Sequence, residues 1–317
     1  MNIVILDYKT LGDDLDLSPV YKYGNVIKYP TTTQEEAPKR VKDADIVIVN
    51  KVKMTEDVVK NAKNLKLICE TATGYDNIDV AYCNSRGIKV ANTPAYSAPC
   101  VAQVTVSMAC ALVTHLQEYR HFVHDKSYQY SKNANCLVPV YHELSGMTWG
   151  IIGFGNIGKA VGKVAEAFGC RLLVNKQTKI DGYNCVDLQT LLKESDIISI
   201  HCPLTDKTRN LIDKNEIALM KNNAIVINVA RGAVWNEEAI ANAIIENKIG
   251  GIGCDVFSRE PIDENHPFSK ILDYNKVLLT PHMAWGSFES RTRCFSTVVS
   301  NIEAFLSGKE QNIVKLN

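Results

Sequence analysis

The sequence has no excess of charge of either sign, because 35 lysines and arginines are balanced by 35 aspartates and glutamates. A balanced chain has no overall field that would attract nucleic acid or an anionic membrane. It also has no apolar run near the roughly 20 residues that a membrane-spanning helix needs. Gln103, Thr105 and Ser107 interrupt the longest candidate, 101–113. We therefore expect neither nucleic acid nor a membrane among its partners.

The ten cysteines form no CxxC pair, so the sequence lacks the spacing of a disulfide framework or a metal centre. Cys69, Cys110 and Cys254 lie within apolar runs, where cysteine behaves as a small core residue. The first residues, MNIVILDYKTLGDD, turn acidic and lack the basic region and cleavage site of a signal peptide. These features predict reduced thiols, no metal and a cytoplasmic location.

Short β-branched runs alternate with amphipathic segments along almost the whole chain, which is typical of parallel sheets covered by helices. A first series predicts strands at 2–6, 45–50, 66–69 and 88–91, with helices at 33–42, 55–62 and 78–85. A second series begins near residue 148 with the runs TWGIIGF, RLLVN, DIISIH, AIVINVA, GIGCDVF and KVLLTPH. Two such series predict an α/β protein with two doubly wound parallel-sheet domains.

Three segments lie outside these two series. The pattern predicts one long apolar helix over 100–120 and a final helix over 287–307. The segment 125–146 is polar and rich in Tyr, Asn and Ser, so we expect an irregular excursion there.

A GxGxxG motif follows the apolar run 148–152 and opens the helix predicted at 156–168. In that context the first glycine permits a tight turn, the second lets a pyrophosphate approach the backbone, and the third lets helix and strand pack closely. A glycine-rich turn without a ligand is the alternative. The motif predicts a dinucleotide site formed by Gly153, Phe154, Gly155, Asn156, Ile157 and Gly158.

The end of the next strand bears on which dinucleotide binds. An NAD site usually places an acidic residue there to accept hydrogen bonds from the ribose 2′-hydroxyl. Here the strand ends at Asn175, and Lys176 and Thr178 follow with no carboxylate. An ammonium and a hydroxyl suit a 2′-phosphate, so we predict NADP(H) in preference to NAD(H). Alternatively, Lys176 and Lys179 merely solvate a loop.

Three segments place reactive side chains after buried strands, at the edge where open α/β sheets bind their ligands. Arg231 follows the strand 224–229, Asp255 and Glu260 follow 251–255, and His282 follows 277–280. Reduction of a 2-oxo acid needs a cation for the substrate, a hydride donor and a proton donor, and histidine best supplies that proton near neutrality. A nearby carboxylate such as Glu260 would favour the imidazolium. Taken singly, each of the three has an ordinary explanation, namely a surface ion pair for Arg231, a solvated turn for Glu260 and a satisfied polar group for His282.

The segments GFGNIG, HCPLTDKTRNLI (201–212), INVARG (227–232), DVFSREP (255–261) and TPHMAW (280–285) resemble the D-isomer-specific 2-hydroxyacid dehydrogenase family over essentially the whole chain. The resemblance implies an enzyme in which Arg231 binds the substrate carboxylate and polarises the carbonyl. It further implies that His282 is the acid/base, that Glu260 is its partner and that the product is the D-isomer. Asp255 would contact the nicotinamide end, and Thr73, Gly74 and Tyr75 would offer backbone amides to the substrate carboxylate. Further implied cofactor contacts are His201, Cys202, Pro203, Thr208, Val229, Ala230, Arg231 and His282.

The family fold implies a flavodoxin-like substrate domain, 1–98 and 287–317, flanking a Rossmann coenzyme domain, 99–286, with the active site in the cleft. It also implies a homodimer with the helix near 100–120 at the interface. Lys51 and Trp285 are weaker candidates for the substrate pocket. An exposed loop lysine is the better explanation for Lys51, and a packing role explains Trp285 equally well.

Within the family, the segments NTPAYS, VAQ and AWGS are most similar to glycerate dehydrogenases and hydroxypyruvate reductases. The substrate stays open between hydroxypyruvate, glyoxylate and larger 2-oxo acids, because all present the same carboxylate and carbonyl. The chain departs from the family pattern at Lys176 and at Trp235-Asn236. The alternative hypotheses are formate oxidation on the same fold and an NAD(H)-sensing, corepressor-like binding module. Neither gives a role to Arg231, Glu260 and His282 together.

Overall fold

The computed structural model describes residues 1–176 and 178–315, and the chain divides into two compact units. Unit 1 comprises Met1–Ser97 and Gly286–Asn317, and unit 2 comprises Ala98–Trp285. Each unit contains its own parallel sheet, so the predicted α/β class with two parallel-sheet domains is confirmed.

Within the described residues, the elements have the following bounds. The strands are β1 Asn2–Ile5, β2 Asn25–Lys28, β3 Ile46–Val49, β4 Leu67–Glu70, β5 Lys89–Ala91, β6 Thr148–Ile152, β7 Arg171–Asn175, β8 Ile197–Ile200, β9 Ile225–Asn228, β10 Gly251–Cys254 and β11 Val277–Leu279. The α-helices are α1 Ala37–Val41, α2 Glu56–Val59, α3 Val80–Ser85, α4 Ala98–Val113, α5 Leu116–His124, α6 Ser127–Tyr130, α7 Asn156–Ala167, α8 Leu188–Glu194, α9 Lys214–Ile217, α10 Glu237–Ile245 and α11 Phe288–Leu306. Short 3-10 helices lie at Tyr8–Leu11, Ser18–Tyr23, Gly232–Val234 and Pro267–Ile271.

The sheet of unit 1 has the strand order β2-β1-β3-β4-β5, and its strands run parallel. This is the flavodoxin-like order, in which ligands bind beyond the carboxyl ends of the strands. Strands β3 and β4 are buried along their whole length, which explains their near-continuous apolar sequences. Strand β2 was not predicted, because it lies at the edge of the sheet and three of its four residues are exposed.

The sheet of unit 2 has the order β11-β10-β9-β8-β6-β7, again parallel. One further parallel bridge, between Val174 and Cys185, adds the chain after β7 to this edge. Separate apolar clusters cover the unit, one around Trp235 and Phe268 and the other around Trp149 and Phe154. The carboxyl ends of β9, β10 and β11 consequently lie side by side.

The prediction of one helix over 100–120 is wrong, because α4 ends at Val113 and α5 begins at Leu116. His115 between them has a left-handed conformation, with φ of 51°, and the two helix axes differ by 64°. Helix α4 is largely buried, whereas none of the nine residues of α5, all of them described, is buried. The chain therefore changes direction at the point where its side chains are no longer buried against the rest of the unit. Among the described residues no single helix is long and apolar enough to cross a membrane, although α4 and α5 together pass that test of length and composition.

Candidate active site

His282 and Glu260 form a direct pair at the carboxyl edge of the unit 2 sheet. Nδ1 of His282 lies 2.7 Å from Oε2 of Glu260, and both side chains are about one quarter to one third exposed. The other oxygen of Glu260 accepts a hydrogen bond of 3.0 Å from the amide of Phe257. With Nδ1 directed at the carboxylate, the Nε2 edge of the ring is the one available to meet a substrate oxygen.

Asp255 holds the segment that carries His282. Its buried carboxylate accepts hydrogen bonds from the Thr280 hydroxyl at 2.5 Å and from the amides of Met283 and Ala284 at 2.9 Å each. Burial raises the pKa of Asp255, and these hydrogen bonds act in the opposite direction. The amide of His282 also donates to the Asp255 carbonyl at 2.8 Å. The nicotinamide contact expected of Asp255 stays a prediction, since its carboxylate is seen here in internal hydrogen bonds.

Arg231 follows β9 on a turn that the buried Asn228 fixes. Asn228 donates from Nδ2 to the Arg231 carbonyl at 2.9 Å and accepts from the amide of Ala230 at 3.0 Å. A Cβ atom added to Gly232 would lie 2.0 Å from the carbonyl carbon of Phe257, so this position requires glycine. The backbone after Arg231 is therefore packed directly on the segment that leads to Glu260.

The glycine motif forms a turn between β6 and α7. Gly153 has φ of +89°, and a Cβ there would lie 2.5 Å from the amide nitrogen of Cys202. A Cβ at Gly158 would lie 2.3 Å from the Gly153 carbonyl oxygen, so the third glycine lets the helix pack on the turn. In contrast, no described atom lies within 4 Å of the Cβ position at Gly155, where α7 begins without a side-chain cap among the described residues. This open approach to free helix amides fits a dinucleotide pyrophosphate.

The other residues of the motif are Phe154, Asn156 and Ile157, and two of them pack in the interior of the unit. The Phe154 ring is buried against Tyr183, with centroids 4.6 Å apart, which leaves the backbone of Phe154 as the part able to approach a ligand. Asn156 opens α7, and Ile157 packs partly against the apolar cluster of Trp149. The pyrophosphate contacts predicted for this stretch are thus main-chain contacts.

The end of β7 presents the residues expected to distinguish the two dinucleotides. The amide of Gly153 donates to the carbonyl of Asn175 at 3.0 Å, so the β7 end adjoins the glycine turn. The Asn175 side chain donates to the Val186 carbonyl at 3.1 Å, while Lys176 and Thr178 are exposed.

The loop after β8 adjoins the same turn. Burial lowers the pKa of His201 to about 3, so its imidazole is neutral at physiological pH and adds no charge there. Neither ring nitrogen of His201 has a hydrogen-bond partner within the described part of the chain. Thr208 holds the following loop by donating to the Pro203 carbonyl at 2.7 Å. Cys202 packs partly against the apolar cluster of Trp235.

The segment with Lys51 lies in unit 1, where Asp7 fixes its backbone. The Asp7 carboxylate accepts from the amide of Lys51 at 2.6 Å and from those of Asn50 and Val52 at 3.1 to 3.3 Å. Burial raises the pKa of Asp7, and the three amides act in the opposite direction. The Lys51 side chain itself is exposed.

The segment with Thr73, Gly74 and Tyr75 is tied to the Lys51 segment by two further residues of unit 1. Asn77 donates from Nδ2 to the Asn50 carbonyl at 3.1 Å and to Oε2 of Glu70 at 2.9 Å. Glu70 is fully buried, and burial raises its pKa well above the usual range. Thr73 donates to the Thr93 carbonyl at 2.9 Å, and Tyr75 is 38% exposed.

The structure therefore brings Arg231, Glu260 and His282 to neighbouring strand ends of unit 2, with Val229 and Ala230 on the same turn as Arg231. Trp285, at the end of unit 2, packs partly against the apolar cluster of Trp149. Lys51 and the Thr73 segment belong to unit 1. Among the described residues, no group of three or more His, Cys, Asp and Glu could hold a metal ion.

The departure at Trp235-Asn236 has a structural explanation. Trp235 is buried and packs edge to face on Phe268, with centroids 5.8 Å apart. Asn236 caps α10 by accepting from the amide of Ala239 at 3.2 Å. Asparagine is among the preferred residues at that position, so the pair serves packing and capping.

Comparisons with known proteins identify the family of the chain. The model of the D-isomer specific 2-hydroxyacid dehydrogenase, NAD binding domain, matches residues 106–284. A hydroxypyruvate reductase of Blautia hydrogenotrophica is 35% identical over 323 residues, which cover 99% of both chains. An acyclic imino acid reductase (Bsp5) in complex with NADPH and D-Arg is 29% identical with a TM-score of 0.88, over 99% of this chain and all of the other. A D-lactate dehydrogenase from Aquifex aeolicus, complexed with NAD and lactic acid, is 29% identical with a TM-score of 0.84. The match covers 97% of this chain and 96% of the other.

Proposed function

The chain belongs to the D-isomer specific 2-hydroxyacid dehydrogenase family and is an oxidoreductase that reduces a 2-oxo acid with NAD(P)H, and we propose that His282 supplies the proton. The proposed substrates are small 2-oxo acids such as hydroxypyruvate and glyoxylate, and the proposed product is the D-2-hydroxy acid. The observation that carries the proposal is the 2.7 Å contact between His282 and Glu260 beside the Arg231 turn. The binding-module alternative is not favoured, because the relatives named above are enzymes.

The chemistry follows from three side chains. The Arg231 guanidinium, with its fixed fork of donors, binds the substrate carboxylate and polarises the adjacent carbonyl. The reduced nicotinamide, when bound, supplies the hydride to the carbonyl carbon. His282 transfers a proton from Nε2 to the carbonyl oxygen, and the product is the neutral hydroxyl group. The Glu260 carboxylate at Nδ1 favours the protonated ring and fixes its orientation.

In this proposal unit 2 holds the coenzyme. The main-chain amides from Gly153 to Gly158 receive the pyrophosphate, and the β8 loop from His201 lies beside them. The backbone amides of Thr73, Gly74 and Tyr75 receive the substrate carboxylate, and the contacts of Thr73 with Thr93 and of Asn77 with Glu70 hold that segment. The proposed compartment is the cytoplasm, since all ten cysteines are free thiols.

We expect NADPH to be preferred over NADH, because Lys176 and Thr178 are exposed beside the glycine turn where an acidic residue would favour NADH. Initial rates with each cofactor, over a panel from glyoxylate to phenylpyruvate, test both the reaction and the preference. Lys176→Asp should raise KM for NADPH by about tenfold or more and lower KM for NADH, because it exchanges a cation for a carboxylate. Lys163→Asp, an exposed site on α7, makes the same change of charge and should leave both values unaltered. A wild-type preference for NADH that Lys176→Asp does not alter would remove Lys176 from cofactor selection.

The chain is also proposed to form a homodimer through α5 and the segment that follows it. Large apolar side chains are more than half exposed there, in contrast to the buried face of α4. They are Leu116, Val123, Tyr130, Leu137, Val138 and Val140. Exposed apolar side chains concentrated in one segment typically mark a protein–protein interface, and a second copy would cover them.

Charge introduced into this surface should separate the protomers. The double variant Val138→Asp/Val140→Asp is expected to sediment as a monomer at concentrations where the wild type is a dimer, because burial of two carboxylates is costly. Leu272→Asp changes an exposed leucine elsewhere on unit 2 and should leave the dimer intact. Sedimentation velocity decides between these results, and a wild-type monomer would contradict the proposed interface.

A further inference from the structure

A buried acidic residue outside the reacting groups contacts the segment that carries Glu260. Glu237 is the first residue of α10 and is only 7% exposed. Its Oε1 accepts from the amide of Ser258 at 2.8 Å, and its Oε2 accepts from the Ser258 hydroxyl. Both donors of one residue are thus bound by one carboxylate, which fixes Ser258 in position and orientation.

The second oxygen of Glu237 also meets a buried histidine. Nε2 of His266 lies 3.1 Å from Oε2 of Glu237, and the His266 side chain is 5% exposed. Nδ1 of His266 accepts from the amide of Phe268 at 3.2 Å, so the proton of a neutral ring is on Nε2 and is donated to Glu237. The ring packs edge-on against Phe257 and Phe268, with centroids 5.6 and 5.2 Å apart. The carboxylate therefore has three donors and little freedom to move.

Ser258 adjoins a residue that contacts the His282–Glu260 pair. Phe257, one residue earlier, donates its amide to Oε1 of Glu260, whose Oε2 meets Nδ1 of His282. A chain of contacts thus runs from the buried His266 and Glu237 through the exposed Ser258 and the adjoining Phe257 amide to Glu260. Gly232 is packed on the same Phe257–Ser258 peptide, so displacement of this peptide also reaches the Arg231 turn.

We propose that Glu237, oriented by His266, is a positioning residue that holds Glu260 against His282. This inference rests on the proposed function of the pair. Glu237 acts through the backbone of Ser258 and does not touch the reacting atoms. Charged groups near the pair include Arg231 on the adjoining turn, Asp255, which accepts from the segment of His282, and Arg259, which is paired with Asp263 at 2.9 Å. These partners of Asp255 and Arg259 lie elsewhere, whereas Glu237 accepts from Ser258.

The test compares Glu237→Gln with the wild type in the pH dependence of kcat/KM for 2-oxo acid reduction. Glutamine replaces one carboxylate oxygen by an NH2 group, which then faces a donor of Ser258 or His266. Two donors cannot bond to each other, so the segment that contains Ser258 must shift. We expect kcat to fall about tenfold, with KM for the cofactor unchanged, as for other residues that orient a reacting group. We also expect the loss of activity at high pH to begin at a lower pH than in the wild type, because a displaced carboxylate stabilises the imidazolium less. NMR titration of the His282 ring measures the same shift without turnover.

Two further variants separate positioning from folding. Glu238→Gln, at the next residue of α10, removes an exposed ion pair with Lys270 and should leave rate and pH profile unchanged. In a Glu260→Gln background, Glu237→Gln should cause no additional shift of the profile, because its effect passes through Glu260. If Glu237→Gln does not fold, Ser258→Ala, which removes only the hydroxyl contact, should give a smaller shift in the same direction.

The outcomes distinguish this inference from the proposed function. A variant with a lower melting temperature but a wild-type pH profile and a wild-type His282 titration would show that Glu237 is only structural. Additive shifts of the pH profile in Glu237→Gln and Glu260→Gln would also overturn the inference, since independent residues give additive changes. A wild-type protein that reduces no 2-oxo acid with either cofactor would overturn the proposed function, and this inference with it.

Discussion

Replacement of His282 by asparagine is expected to lower kcat for 2-oxo acid reduction by about 100- to 10,000-fold, the range usual for loss of a general acid. Asparagine is the better substitution than alanine, because His282 has φ of 53° and asparagine tolerates the left-handed region. The turn held by Asp255 should therefore keep its shape. Stopped-flow measurement at saturating cofactor and substrate gives the chemical step directly.

Cofactor affinity separates a lost proton donor from a damaged site. The Kd for NADPH, measured by fluorescence titration, should stay within about threefold of the wild type, because the pyrophosphate contacts lie on the glycine turn. Met283→Ala, which alters an exposed neighbour on the same segment, is the matched control and should keep near-normal turnover. If His282→Asn retains more than about one tenth of the wild-type kcat, His282 is not the proton donor.

The fold could be predicted from the sequence wherever burial was continuous. The run at Thr148–Ile152 is buried throughout, and its apolar residues followed by glycine predict a strand and a dinucleotide turn. Strand β2 could not be predicted, because its register is determined by pairing with β1 and its own side chains are mostly exposed. The break at His115 was missed for a similar reason. The apolar sequence continues past Val113, but the surface on which it packs does not.

In the candidate site, too, residues that directly follow buried strands could be predicted, and residues that act through contacts distant in the sequence could not. Arg231, Glu260 and His282 each follow a buried strand, so the sheet topology alone predicts that they share an edge. Glu237 and His266 could not be predicted in this way. Glu237 contacts Ser258, 21 residues later, and His266, 29 residues later, and no local pattern indicates such contacts. Asp7 and Glu70 do follow or end buried strands, and the same rule applied to charged residues in unit 1 would have found them.

Replacement of Arg231 by glutamine is expected to lower kcat/KM for the 2-oxo acid by about 30- to 5,000-fold. This range corresponds to the roughly 2–5 kcal/mol lost when one partner of a hydrogen-bonded charge pair is removed. Both KM and kcat should change, because the guanidinium binds the carboxylate in the ground state and polarises the carbonyl in the transition state. Arg231→Lys keeps the charge but loses the planar fork, so it should give an intermediate loss.

The effect of Arg231 must be distinguished from that of positive charge in general. Arg259 lies next to Glu260 in the sequence, and its side chain is 79% exposed and paired with Asp263. Arg259→Gln removes this exposed positive charge. If the fork geometry matters, Arg259→Gln should change kcat/KM by less than about twofold, since exposed pairs contribute little. Added guanidinium ion should restore part of the activity of Arg231→Ala, and ammonium ion should restore less, because only the former reproduces two parallel donors. Equal rescue by both ions, or equal losses in the Arg231 and Arg259 variants, would mean that the site needs only a nearby cation and that Arg231 has no specific part in orienting the substrate.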